Sequence, residues 1–422
     1  MITFQRLLAG ACATSVLMMT GAATVHAQER VHVLHNQQDA FIREVWDELR
    51  QDFQAQNPDI EVELEFMDDQ AMQQRLPTLL QASVKPNLYW SFGGDDYRMR
   101  AQSGLLGDIT DMADGLRGNI PEGILEAYEV DGRLYGAPYR LAGVGFWYNR
   151  DLFEEAGVSS DDIETWDDFL DVVQALQDAG ITPIAAGGSE RWPLHFYWTY
   201  LAMRTGGQEL FEAILNDEAS FVNEHYIRAG EELQRLADLE PFQSGYMGFA
   251  YNEAAGVFGN GNAAIHLMGE WDIGVQTSES ESGEGVSGDR LGYFNFPAVE
   301  GGEGDPSATI GGVDGFAFTS GRATEESVKW LEFFLAPEQQ SRLAAEGIII
   351  PVANGAQEHM EDQHLQMVAE TIANSSWHQV FWDQALGASV GGVINDMSAD
   401  LVAGRVTPEQ AVQQIQEAWE FR

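Results

Sequence analysis

The chain has 422 residues, room for two core-bearing domains, with 67 Asp and Glu against 22 Lys and Arg and a formal charge of −45. A field of that sign repels nucleic acid and anionic lipid, so neither is an expected partner. The single cysteine, Cys12, excludes an internal disulfide and a cysteine-built metal site.

In residues 1–27 Arg6 is the only charge, an apolar run covers 7–19, and Val25-His26-Ala27 fits a small-x-small cleavage site. A signal peptide cut before Gln28 is expected, with export to the periplasm; losing Arg6 would take the charge from −45 to −46. Ala9-Gly10-Ala11 before Cys12 matches a lipoprotein signal poorly. Lys85 and Lys329 are the only lysines, which fits either a saline habitat or ordinary acidic solubility.

Residues 31–35 read as a first strand with the polar exit loop Asn36-Gln37-Gln38-Asp39. Residues 40–56 carry helical spacing through Phe41, Val45, Leu49 and Phe53, and 60–66 alternate as a second strand. A helix at 71–83, irregular at Pro77, leads to a buried strand at 87–91 and the loop Phe92-Gly93-Gly94-Asp95-Asp96. This order predicts a parallel sheet with helices on both faces and ligands beyond the strand ends. The apolar run 144–148 is a strand, and Asn149-Arg150-Asp151 opens a helix that stops at Gly157. Thr165-Trp166-Asp167-Asp168 has capping chemistry for a helix to Ala179, and 181–186 reads as a strand. Helices are expected at 210–216, 227–238 and 252–260, and strands at 263–268, 291–296 and 316–319. Residues 277–289 read as a mobile surface loop. Further helices cover 324–335, 338–346 and 408–419.

Several tracts, in order, resemble the extracellular solute-binding proteins of bacterial ABC importers, in the sugar and oligosaccharide branch that includes maltose-binding protein. They are "NPDIEVEL", "AQSGLL", "DGRLYGAPY…WYNRDLFEEAGV…TWDDF", "FGNGNAAIHLMGEW", "GGVDGFAFTSGRATEESVKWLEFFLAPEQQSRLAAEGIIIPV" and "LVAGRVTPEQAVQQIQEAW". The resemblance implies an α/β protein of two Rossmann-like lobes joined by crossover hinge segments, the type II periplasmic binding fold. The expected lobes are 28–140 plus 298–336 and 141–297 plus 337–422, with hinges near 139–143, 294–297 and 335–337. It also implies a sugar ligand, delivery to the membrane permease of an ABC importer, a monomer and no cofactor.

A sugar offers apolar C–H faces and polar edges, so its cleft wants flat rings beside Asp, Asn, Gln, Arg or His. The tracts that combine them are Gln37 in the exit loop; Trp90 with Asp95 and Asp96; Tyr139 with Arg140; Trp192, His195 and Trp198; Trp271 with Glu270 and Asp272; and Trp382 with Asp383. The resemblance implies that Trp271 stacks on a sugar ring, that the Trp90 tract forms a first-lobe binding loop, and that Trp382 closes the site. Gly312 and Asp314 would let backbone approach a ligand, or merely shape a turn. Any single Trp is more often packing than platform, and Arg140 among so many acids is as readily a salt bridge. A secreted hydrolase using paired carboxylates is the competing class. Yet 67 carboxylates blur that signal, and no His-Glu-x-x-His, phosphate-loop or calcium-loop pattern occurs. A polyol or other non-sugar solute, or a scaffolding role, stays open.

Overall fold

In the computed structural model, residues 28–37, 40–67 and 69–422 are described. The expected signal peptide, and Gln38 and Asp39 of the exit loop, lie outside them.

The first three expected strands form as Glu29–His35, Ile60–Phe66 and Leu88–Ser91, with Glu29–His35 central and parallel to both others. Their alternating apolar positions face the helices Ala40–Gln56 and Asp69–Leu79. Trp46, Leu49 and Phe53 of the former lie buried with Val31 and Val33 in one apolar core.

Strand Gly136–Asn149, the crossing strand, leaves this core after Tyr139 and enters a second core at Ala142. Its first half pairs antiparallel with Thr309–Phe318, the return strand, which also pairs with Leu88–Ser91. Its second half is flanked by Ile265–Gly269 and Leu291–Phe294. The run at 144–148 is thus one end of a 14-residue strand. The return strand is likewise longer than the expected 316–319: Ile310 belongs to the second core and Phe316 to the first. In the last passage the two cores interleave: Leu343, Ile349 and Val352 belong to the first, Ala344 and Ile350 to the second, which Met360 and Leu365 then continue. Core membership therefore changes later in the chain than the expected 294–297 and 335–337.

Local signals produced the expected ends. The Asn149 side chain accepts from the amide of Asp151, and Gly157 closes helix Arg150–Ala156 with φ 71°, a conformation open to glycine. Thr165 and Asp168 cap each other's backbone at the head of Trp166–Asp178.

Two readings need correction. Residues 181–186 form no strand: Pro183 has no N–H to donate, and Ile184 makes only isolated bridges to Phe242 and Ile265. Nor is 277–289 a free loop. It begins inside helix Asp272–Ser278 and folds onto Gln276, whose amide exchanges two hydrogen bonds with Val286.

Arg204, on helix Trp192–Leu215, is fully buried and forms no salt bridge among the described residues. Its guanidinium donates to the carbonyls of Phe296 and Ala308 at 2.9 Å and of Pro297 and Asp305 at 3.2 Å. Burial lowers its pKa to about 10. The fork clamps the segment that leads into the return strand, and four acceptors depend on it. Arg204→Met should lower stability by about 3–5 kcal/mol in urea denaturation, because buried carbonyls lose their donor. Arg204→Lys should recover little, since one ammonium cannot span four carbonyls.

Candidate functional site

A cleft of about 1140 Å³ opens between the two cores, lined from both sides. The bodies meet at one edge where Gly94 lies against the backbone of Gln384 and Ala385. Gly94 has φ 78°, and a Cβ there would sit 3.2 Å from the Gln384 carbonyl oxygen, so this approach favours glycine.

The floor is made by the two long strands. The crossing strand carries a bulge between Pro138 and Arg140, so that Tyr139 is the extra residue and Arg140 falls opposite Asp314 of the return strand. Opposed residues share a face, and bulges re-aim side chains next to functional sites. Tyr139 packs into the first core against His35 and Phe316, while Arg140 turns to the cleft. Its Nε and Nη2 donate to Asp314 Oδ2 at 2.9 and 2.7 Å, and its Nη1 lies 3.6 Å from Glu270 Oε1. Both readings of Arg140 therefore hold: it is salt-bridged, and it lines the cleft.

Glu270 caps the strand Ile265–Gly269 and accepts from the Gly143 amide at 3.0 Å through Oε2. It is 3% exposed and Asp314 1%; Glu270 Oε1 and Asp314 Oδ1 make no hydrogen bond among the described residues. Burial raises Glu270 from 4.5 to about 7 against the pull of Arg140 and the Gly143 amide. Burial raises Asp314 too, again opposed by Arg140.

Trp271 follows directly. Gly269, two residues earlier, leaves the space its ring occupies: a Cβ there would lie 2.1 Å from the indole. The ring stands 5.9 Å from the Arg140 guanidinium carbon and edge-on to Phe381 at 6.1 Å.

Of the expected residues, Gln37, Trp90, Asp96, Arg140, Trp192, His195, Trp271 and Asp314 line this one cleft. Trp90 meets Phe92 edge-on at 4.1 Å, and Asp96 is bridged to Arg100. His195 Nδ1 hydrogen-bonds the Trp192 carbonyl oxygen at 2.6 Å, with Nε2 3.6 Å from Asp383 Oδ1.

Five expected residues do not line it. Asp95 pairs with Arg98 and faces the start of helix Gly387–Val402. Trp198 is 0% exposed, packed against Tyr226 and Trp382, because it lies on the core side of its helix. Trp382, also 0% exposed, stacks on Phe211 at 4.4 Å, and its neighbour Phe381 faces the cleft instead. Asp272 turns inward to His266 Nδ1 at 2.8 Å and the Tyr251 hydroxyl at 3.0 Å, so it supports a cleft ring without reaching the cleft. Gly312 faces Phe381 from the return strand.

The sequence reading missed Phe41, Phe92, Glu190, Phe196 and Tyr251 as cleft residues. The helical spacing puts Phe41 on the apolar stripe of its helix, yet it is 59% exposed at the cleft rim. Glu270 had a signal, its place beside Trp271 in a polar tract. Phe381 immediately precedes Trp382, a ring that the resemblance singles out.

Two α/β bodies that share antiparallel crossing strands, with an aromatic and acidic cleft between them, define a two-lobed binding protein of the type II periplasmic kind. The chain belongs to the family of bacterial extracellular solute-binding proteins, which it matches over residues 35–341. It is 25% identical over 368 residues to an uncharacterized ABC transporter extracellular-binding protein of Pyrococcus horikoshii, covering 82% of this chain and 80% of that one. It is 23% identical over 313 residues to the multiple sugar-binding protein of Streptococcus mutans, covering 71% and 70%. A solved chitin oligosaccharide binding protein superposes with a TM-score of 0.84 at 25% identity, over 93% of this chain and 98% of that one. Among the described residues no helix is long and apolar enough to cross a membrane.

Glu270 predicts a pH dependence of stability. An acid whose folded pKa exceeds its unfolded value subtracts stability as pH rises between the two. Here the loss accumulates from pH 4.5 to about 7 and is then constant. Glu270→Gln keeps a partner for the Gly143 amide and removes the titration. Relative to wild type, the variant should therefore gain about 3 kcal/mol between roughly pH 4 and pH 8. Urea midpoints at both pH values check this; an unchanged difference contradicts it.

Proposed function

We propose that the protein captures a sugar, an oligosaccharide rather than a single ring, in the cleft between its lobes and hands it to the permease of an ABC importer. The observation that carries this reading is the cleft itself. Rings from both bodies, Trp90 and Phe92 on one side and Trp192, Trp271 and Phe381 on the other, stand among Asp96, Arg140, Glu270, Asp314 and Asp383. Rings suit sugar C–H faces and the polar groups suit hydroxyls, and the volume exceeds what one ring fills. The names of the relatives, a multiple sugar-binding protein and a chitin oligosaccharide binding protein, support the same ligand class.

Ligand would favour the shut arrangement because only that arrangement touches it from both lobes, by no more than its difference in affinity between the two states. Core membership supports a first lobe of residues 28–140 with roughly 315–343, and a second of 141 to about 314 with 353–422, the stretch 344–352 contributing to both cores. Export to the periplasm, release from a signal peptide, a monomeric state and binding without catalysis complete the reading.

Titration calorimetry with malto-, xylo- and chito-oligosaccharides of graded length tests it. One series should bind, with no shortened product after prolonged incubation; slow release of shorter sugars would favour the hydrolase. Trp271→Ala should weaken the bound sugar by about 10- to 100-fold, ~1.4–2.8 kcal/mol. Its melting temperature should stay near wild type, because the ring borders the cleft.

A further inference from the structure

The acidity of this chain is mostly a surface property, but two carboxylates in the cleft are not on the surface. Glu270 and Asp314 are buried, come from the end of strand Ile265–Gly269 and from the return strand, and share the guanidinium of Arg140. Arg140 spends Nε and Nη2 on a single oxygen, Asp314 Oδ2. Glu270 Oε1 and Asp314 Oδ1 are left as acceptors without a donor. The other charged groups nearby do not redress the balance. Asp96 and Arg100 cancel each other, Glu190 accepts from the Tyr251 amide, and Asp383 accepts from Asn395. Among the described residues, the cleft floor is short of hydrogen-bond donors and of one positive charge.

A neutral hydroxyl answers only part of that shortage. It offers one hydrogen and leaves two buried carboxylates against one cation. An ammonium offers three N–H donors and the missing charge together, and buried charges are stable only when paired and hydrogen-bonded. The adjacent Trp271 supplies a flat face beside the same spot, so a sugar ring and its amine can be held at once.

We propose that the preferred solute is an amino sugar or its oligomer, its protonated amine seated between Glu270 and Asp314 with the ring against Trp271. This rests on the sugar-binding reading and narrows it. The raised pKa of both acids agrees: burial disfavours their ionised forms, which a bound ammonium would favour.

The test uses three β-1,4-linked series of equal length that differ only at C2: glucosamine oligomers, their N-acetylated forms and the glucose oligomers. Calorimetry on the mature protein at neutral pH should find the glucosamine series bound at least about tenfold more tightly than either other series. Glu270→Gln, expected to fold at least as well as wild type, should bring the ratio of affinities towards one. Equal or tighter binding of the acetylated or hydroxyl series overturns the amine assignment and leaves the sugar reading standing. Retention of none of the three overturns the proposal, and a broader saccharide panel then decides whether the sugar reading falls with it. A preference for amine that survives in Glu270→Gln overturns the seat described here.

Discussion

Everything in the cleft hangs on the antiparallel pairing of the crossing and return strands. Each strand begins in one core and ends in the other, so their shared ladder is both the join between the lobes and the floor of the site. The bulge at Tyr139 is where that ladder does two jobs. It sends a tyrosine into the first core and the next residue, Arg140, across to Asp314 and Glu270. A regular ladder would move this arginine to the other face, because side chains alternate with a period of two. The ion cluster would then have no cation, and three buried charges would become two that repel.

Around this floor the structure separates packing from reach. Residues that look alike in sequence take opposite parts: Trp198 and Trp382 fill the second core, while Trp192, Trp271 and Phe381 stay at the cleft wall. The supporting contacts lie one layer behind. Asp272 and His266 hold the Tyr251 hydroxyl side, and Gly269 makes room for the indole of Trp271. Arg204 does the corresponding work for backbone, tying the loop before the return strand to the long helix of the second core. Such clamps favour two stiff bodies with few joints, as binding by closure needs.

Electrostatics give the cleft its character. A carboxylate in water has little reason to titrate near neutrality; Glu270 does so because burial removes its solvation and one shared guanidinium repays only part of the loss. Perturbed acids of this kind cluster at functional sites, and this one sits beside the ring the resemblance singles out.

Much was legible without coordinates, and the reason is range. Periodicity, the Asn149 and Gly157 ends and the Thr165–Asp168 box depend on residues a few positions apart, so the first strands, most helices and the solute-binding family could be read from the sequence. The polar–aromatic tracts pointed to Trp271, Trp90, Arg140 and His195, because composition alone marks a surface that wants rings and charges together. Pro183 broke a strand that its neighbours suggested, since ladder bonds need partners as well as pattern. The choice of Phe381 over Trp382, the inward turn of Asp272, the exposure of Phe41 and the 174-residue span from Arg140 to Asp314 were decided only by the tertiary structure. Which side of an element faces the cleft is set by register, bulge and helix packing against distant chain, and a one-residue difference in any of these exchanges wall for core.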